Sequence, residues 1–215
     1  VKAATSACRF SAYGRDIGRE LRIIERDRWY HVTCRGNNRG PIAWDQHDYA
    51  SLKGELERAA MRFRWELAAW CFMPNHYHLV LRTPHGGFSE GFQVMNGSHS
   101  RRTNRRYGRT DHLFRNRPRA RRIRSDAHLV SAVVYVVRNP VRAGLCRTAG
   151  EWPYSSYRAT VGRTKAPPWL VLDEVLPLFG PTPAEARAEF ARLVHDQHLP
   201  VSDIDASLDP SVIPV

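Results

Sequence analysis

Residues 73–78 read Met73-Pro74-Asn75-His76-Tyr77-His78, and Leu79-Val80-Leu81-Arg82 follows. Pro74 breaks the preceding element, and the apolar run after Asn75 has the length of a strand. Successive strand side chains point to opposite faces, so His76 and His78 project together while Tyr77 points away. Two imidazoles on one face can chelate a divalent metal, each through a neutral ring nitrogen. The pair alone is a weak signal, because a one-residue gap between histidines also arises by chance.

Working outward, residues 65–72 are mostly apolar and of strand length, and Met73-Pro74-Asn75 ends them. Before them, Tyr49, Leu52, Leu56, Ala59 and Phe63 recur at helical spacing, which predicts a helix over 45–63 capped by Asp45 or Asp48. Earlier still, Trp29-Tyr30-His31-Val32-Thr33-Cys34 is rich in β-formers and runs into a glycine- and asparagine-rich turn. Downstream, a second helix is expected from Ser89 to about Tyr107. Leu113-Phe114 and residues 120–124 supply a fourth strand, with Pro118 obscuring its start. Ser125 or Asp126 caps a third helix from Ala127 to about Arg138, and Asn139-Pro140 is expected to end it.

The order strand, helix, strand, strand, helix, strand predicts an α+β fold, a ferredoxin-like βαββαβ antiparallel sheet with helices on one face. A further helix and a C-terminal helical extension follow. The first and third strands are then central neighbours, which brings His31 towards His76 and His78. Three regions result: an N-terminal extension over 1–28, the main domain over 29–162, and a C-terminal extension over 163–215. Eight of the fourteen prolines lie beyond Ala166, and residues 202–215 hold three aspartates and no base. That extension is expected to carry one helix and a poorly ordered acidic tail.

Charge narrows the partner. The formal charge is +12, and residues 101–124 hold eleven arginines against one acid, Asp111. A one-signed, arginine-dominated run suits bidentate phosphate contact and points to nucleic acid, whereas a merely solvated face mixes signs. The DNA-contacting candidates are Arg101, Arg105, Arg115, Arg117, Arg119, Arg121 and Arg122, joined by Arg35, Asn37 and Arg39 in the first turn. Trp44, Tyr107 and Phe114 are candidates for stacking on unpaired bases, with core packing the weightier role for Phe114. The four cysteines form no Cys-x-x-Cys pair, which argues against structural zinc and a disulfide scaffold. No long apolar run suggests a membrane span, so a cytoplasmic protein is expected.

The third helix carries Tyr135 and, four residues on, Asn139, one helical face apart by a single turn. On the isolated helix Tyr135 reads first as a core aromatic among Val133, Val134, Val136 and Val137. Beside a histidine pair and a basic surface a chemistry emerges. His76, His78 and the Asn139 amide oxygen would hold Mg²⁺ or Mn²⁺, a Lewis acid that polarises a phosphodiester. Tyr135 would be the nucleophile, a phenol with a pKa of about 10 that needs a nearby cation to reach phenolate.

The stretches Tyr30-His31-Val32-Thr33-Cys34-Arg35-Gly36-Asn37, Met73 to Leu79, His112-Leu113-Phe114 and Asn139-Pro140-Val141-Arg142-Ala143-Gly144 carry a resemblance. With Trp152-Pro153-Tyr154-Ser155-Ser156-Tyr157, they resemble, in colinear order, the REP-associated tyrosine transposases of the single-tyrosine HUH superfamily (histidine–hydrophobe–histidine). The resemblance implies a metal-dependent transesterase that cleaves single-stranded DNA beside hairpins, leaving a 5′-phosphotyrosine and a free 3′-hydroxyl. It places His76 and His78 in the histidine pair, Tyr135 as nucleophile and Asn139 as the polar ligand. Relatives commonly read Ile-His-x-Asn-Pro after the tyrosine, where this chain has Val136-Val137-Arg138-Asn139-Pro140. Cys34 stands where serine is more usual. Alternatives are a hairpin-binding regulator that does not cut and a replication initiator or relaxase, and the active unit is a monomer or a homodimer.

Overall fold

The computed structural model describes residues 24–196. Expectations for the acidic tail, and for residues 1–23 of the N-terminal extension, lie outside that range. Four strands form one antiparallel sheet: β1 (Tyr30–Arg35), β2 (Glu66–Phe72), β3 (His76–Arg82) and β4 (Arg119–Arg122), in the order β2-β3-β1-β4. β1 and β3 are the central pair, as expected. Their register sets Thr33 opposite His78 and Arg35 opposite His76. Opposed residues share a face, so His31, Thr33, Arg35, His76 and His78 line one side of the sheet. Tyr30, Val32, Cys34, Tyr77, Leu79 and Leu81 line the other.

On that second side lie α1 (Gln46–Phe63) and α2 (Phe88–Tyr107). Asp45 caps α1 by accepting the Asp48 N–H at 3.0 Å, one of the two caps the sequence offered. The start of α2 differs from expectation. Gly87, at φ 74°, precedes Phe88, and the Ser89 hydroxyl is not the cap. A side chain is excluded at Gly87 by the left-handed backbone and by the Phe63 ring, which its Cβ would meet at 2.6 Å. Phe88 and Phe92 then drop onto Tyr30 and Tyr77, building an aromatic layer between sheet and helices. Burying each such ring stabilises the fold by roughly 1.5–3 kcal/mol.

The histidine face is covered by α3 (Asp126–Arg142), which packs over β2 and β3. Here the sequence expectation fails, because α3 runs through Asn139-Pro140 and ends at Arg142. The missing proline N–H costs one hydrogen bond, to the Val136 carbonyl. The helix continues because residues 132–140 are buried, apolar on nearly every side, and Ala143 N–H still reaches the Asn139 carbonyl at 2.9 Å. Packing outweighs the local preference.

The free edge of β2 is sealed by residues from beyond α3. Phe72 donates to the Tyr154 carbonyl and Ser156 to the Trp70 carbonyl, both at 2.9 Å. Further along, Leu67 donates to the Trp169 carbonyl and Val171 to Leu67. Open backbone groups are thereby covered, which protects the sheet against further strand pairing. The region after residue 162 holds α5 (Leu172–Val175) as well as α6 (Pro183–His195), where the sequence suggested one helix, and α6 packs on α3. A further short helix, α4 (Tyr157–Thr160), joins the two parts. No helix of the described residues is long and apolar enough to cross a membrane.

Candidate active site

His76 and His78 lie side by side on β3, ring centroids 4.8 Å apart. The orientation of His76 is set from its own turn. Asn75 donates its amide N–H to the Arg39 carbonyl at 3.1 Å, which turns its amide oxygen towards His76. That oxygen can only accept, so His76 Nδ1 carries the proton across the 2.6 Å contact and Nε2 keeps its lone pair. His78 contacts His31 Nε2 through its own Nδ1, at 3.0 Å. Its Nε2 is buried and has no hydrogen-bond partner. An orphaned imidazole nitrogen next to a second ligating nitrogen is what a metal site needs, so the donor set fits a divalent cation.

All three rings are neutral. Burial, reinforced by Arg121 and then His128, lowers His31 to about 3. Burial and then Arg35 lower His76 to about 3. His78 is pushed well below its ordinary value by burial first, then by His76, His31 and nearby arginines. Neutral imidazole is the ligating form.

α3 brings Tyr135 onto these rings. Its centroid is 5.5 Å from His78 and 5.7 Å from His31, edge-on to both, and the residue is 1% exposed. Asn139, one turn later, donates its amide N–H to the Tyr135 carbonyl at 2.9 Å, leaving its amide oxygen on the opposite side of the group. The Arg142 guanidinium lies 5.1 Å over the Tyr135 ring. Tyr135, Asn139 and Arg142 thus line one stripe of α3, and a histidine pair, a phenol and a cation converge within one chain.

Residues 26–120 match the model of the family described as Transposase IS200 like. A curated relative from Haemophilus influenzae, provisionally described as a REP-associated tyrosine transposase, is 24% identical over 126 residues. That alignment covers 53% of this chain and 72% of the relative. A solved structure, described as a REP-associated tyrosine transposase bound to a REP hairpin, shares the fold with a TM-score of 0.58 at 21% identity. It covers 70% of this chain and 89% of its own. Over these stretches the chain is similar to REP-associated tyrosine transposases, and it shares the fold of the solved one.

On this fold the candidate DNA-contacting arginines divide by face. β4 sets Arg121 opposite His31 and Arg119 opposite Thr33, so both lie on the histidine side, and both are exposed. Arg35 shares that side. Arg122 lies on the other face and is paired with Glu25. Arg101, Arg105, Arg115 and Arg117 are exposed, on α2 and on the loop before β4. Other arginines of the 101–124 run have carboxylate partners. Arg102 reaches Glu55, and Arg106 is held by Asp45 and Asp48, so these two tie α2 to α1. Asn37 and Arg39 sit in the 3-10 turn after β1. Trp44 and Tyr107 are exposed and lie 4.7 Å apart, flanked by Arg109 and Arg106, whereas Phe114 packs on Tyr77 and His99.

Two site residues escaped the sequence reading. Arg142 is seven residues beyond Tyr135, two helical turns, a spacing that pointed to a shared face once the helix was allowed past Pro140. Asn75 precedes His76 inside the opening motif, and its position in the turn was the available signal.

Proposed function

We propose that this chain is a divalent-metal-dependent transesterase that cleaves and rejoins single-stranded DNA beside hairpins through a 5′-phosphotyrosine on Tyr135. The observation that carries the reading is the approach of the Tyr135 ring to His78, 5.5 Å between centroids, beside a ring nitrogen that lacks a partner. His76 and His78 would hold Mg²⁺ or Mn²⁺ through Nε2, with the Asn139 amide oxygen as a third donor. When bound, the ion supplies Lewis-acid stabilisation to the phosphate.

The protein's own groups do the rest. The Arg142 guanidinium, 5.1 Å over the Tyr135 ring, would stabilise negative charge that develops as the phenol attacks. Tyr135 Oη attacks phosphorus, the new O–P bond forms as the P–O3′ bond breaks, and the phenol proton ends on the released 3′-oxygen. A later 3′-hydroxyl attacks the phosphotyrosine and returns the proton to Tyr135, so bond energy is conserved and strands rejoin. Arg35, Arg119 and Arg121 would take the phosphates of the strand on the histidine face, and Asn37, Arg39, Arg101, Arg105, Arg115, Arg117 and Arg122 would extend that track. Hairpin DNA is the ligand of the solved relative, and the same partner suits this surface. Tyrosine and histidines come from one chain, so a single copy holds the whole site. Residues 29–162 would carry the activity, between extensions over 1–28 and 163–215, in the cytoplasm with the nucleoid.

The test is Tyr135→Phe. With a hairpin oligonucleotide carrying a single-stranded flank and Mn²⁺, wild type forms a denaturation-resistant adduct, and the variant binds equally but forms none. An adduct in the variant refutes the nucleophile. A hairpin-binding regulator that does not cut is favoured by one observation, the 1% exposure of Tyr135. It would show tight binding and no adduct in the wild type with either metal.

A further inference from the structure

We propose that His31 is a positioning residue for the metal site. It accepts a hydrogen bond from His78 Nδ1 and so fixes the tautomer in which His78 Nε2 can ligate. The inference rests on the metal-site reading above and assigns a role to a residue outside the ligand set.

The 3.0 Å contact between His31 Nε2 and His78 Nδ1 joins two neutral rings, so one nitrogen donates and the other accepts. Only two arrangements exist. If His31 donates, His78 must carry its remaining proton on Nε2. That nitrogen is buried without a partner, so the molecule would hold an unsatisfied N–H where a ligand lone pair is needed. If His78 donates, Nε2 carries a lone pair facing the site, and a cation satisfies it. Metal binding therefore selects the arrangement with His31 as acceptor.

The surroundings hold His31 in place for this task. It is 3% exposed, on a central strand, and its ring is nearly parallel to that of His78, with 10° between planes. Tyr135 closes on both rings edge-on. Arg121, opposite His31 on β4, and His128, on α3, place positive or potentially positive charge around the ring and work against an imidazolium there. His76 receives the equivalent service from Asn75, so both ligating rings donate through Nδ1 and present Nε2. Acceptors behind ligating histidines typically contribute about 10–100-fold in metal affinity.

The experiment measures Mn²⁺ affinity of the full chain without DNA, by electron paramagnetic resonance, for wild type, His31→Gln, His31→Leu and His76→Ala. Histidine ¹⁵N–¹H correlation spectra of the metal-free proteins report the His78 tautomer. His31→Leu, which removes the acceptor, is expected to weaken Mn²⁺ binding by about 10–100-fold. His31→Gln keeps an amide oxygen in reach and is expected to restore affinity and the Nδ1–H tautomer. Circular dichroism melts establish that both variants fold, and the Leu-to-Gln rescue separates positioning from packing. Wild-type affinity in His31→Leu, or a wild-type His78 protonated on Nε2, overturns the proposal while leaving the metal site standing. Wild-type Mn²⁺ binding that His76→Ala does not reduce overturns the metal-site reading and the proposal with it.

Discussion

Acidification should destabilise the metal-free protein between pH 7.5 and 5.5, a window fixed by the buried histidines. His31 and His76 are held to about 3 in the folded protein, against about 6.5 unfolded. Between those values the unfolded chain binds protons that the folded chain refuses, so stability falls as pH falls and is fully present above pH 6.5. Integrating from pH 7.5 to 5.5 gives a loss of about 1.4 kcal/mol per histidine, or roughly 3 kcal/mol for the two. His78 and His99 are shifted in the same direction by burial and add to the loss. The carboxylates shifted downward, Asp45, Glu151 and Glu189, titrate below this window and leave it clean. The assay is urea unfolding at both pH values with EDTA present. A total loss of under about 1 kcal/mol refutes the claim that these rings are neutral when folded.

Removing metal should also be measurable directly: Mn²⁺ stabilises wild type over EDTA by RT ln(1 + [Mn²⁺]/Kd) and so raises its melting temperature, and His76→Ala shows no such difference. Arg119→Ala and Arg121→Ala should each reduce the slope of log affinity for single-stranded DNA against log salt by about 0.7, read by fluorescence anisotropy. An unchanged slope removes that arginine from the phosphate track. Gly91→Ala should destabilise by about 1–3 kcal/mol, because its Cβ would meet Trp65 Cζ2 at 2.1 Å inside the aromatic layer. An unchanged melting temperature would show that the indole yields without cost.

Much of this was legible because local signals and long-range demands agree. β3 spans His76–Arg82 as the proline and the alternation required, and α1 begins after the Asp45 cap. The ferredoxin-like strand order followed from the succession of elements. Other features depend on packing that no window of sequence reports. Pro140 signals a helix end, yet the apolar surround of α3 carries the helix to Arg142 and with it a cation over Tyr135. The His31–His78 contact depends on the register of β1 against β3, which topology permits but spacing alone does not set. Net charge identified a basic segment without telling Arg119 and Arg121, exposed beside the site, from Arg102 and Arg106, which bind α1 carboxylates.

Asp45, His47 and Asp48 are the one group of three or more His, Cys, Asp or Glu among the described residues whose potential ligand atoms gather closely enough to hold an ion. Their lone pairs are already committed. Asp48 accepts from the Trp44 N–H at 2.9 Å, the Tyr107 hydroxyl at 2.8 Å and Arg106, and Asp45 caps α1 while gripping the same guanidinium. A cation there would have to displace Arg106 and undo the tie between α1 and α2. On the other face the balance reverses. His76 and His78 are neutral, and His78 Nε2 has no partner to surrender. The proposed donor set of two neutral imidazoles and a neutral amide would also leave an ion's charge uncancelled by carboxylate and available to a phosphate. Arg35, Arg121 and Arg142 add positive charge to the same region. The acidic cluster therefore serves as a structural clamp, and on the function proposed above the histidine face is where a phosphodiester would gain most from the charges the fold has arranged.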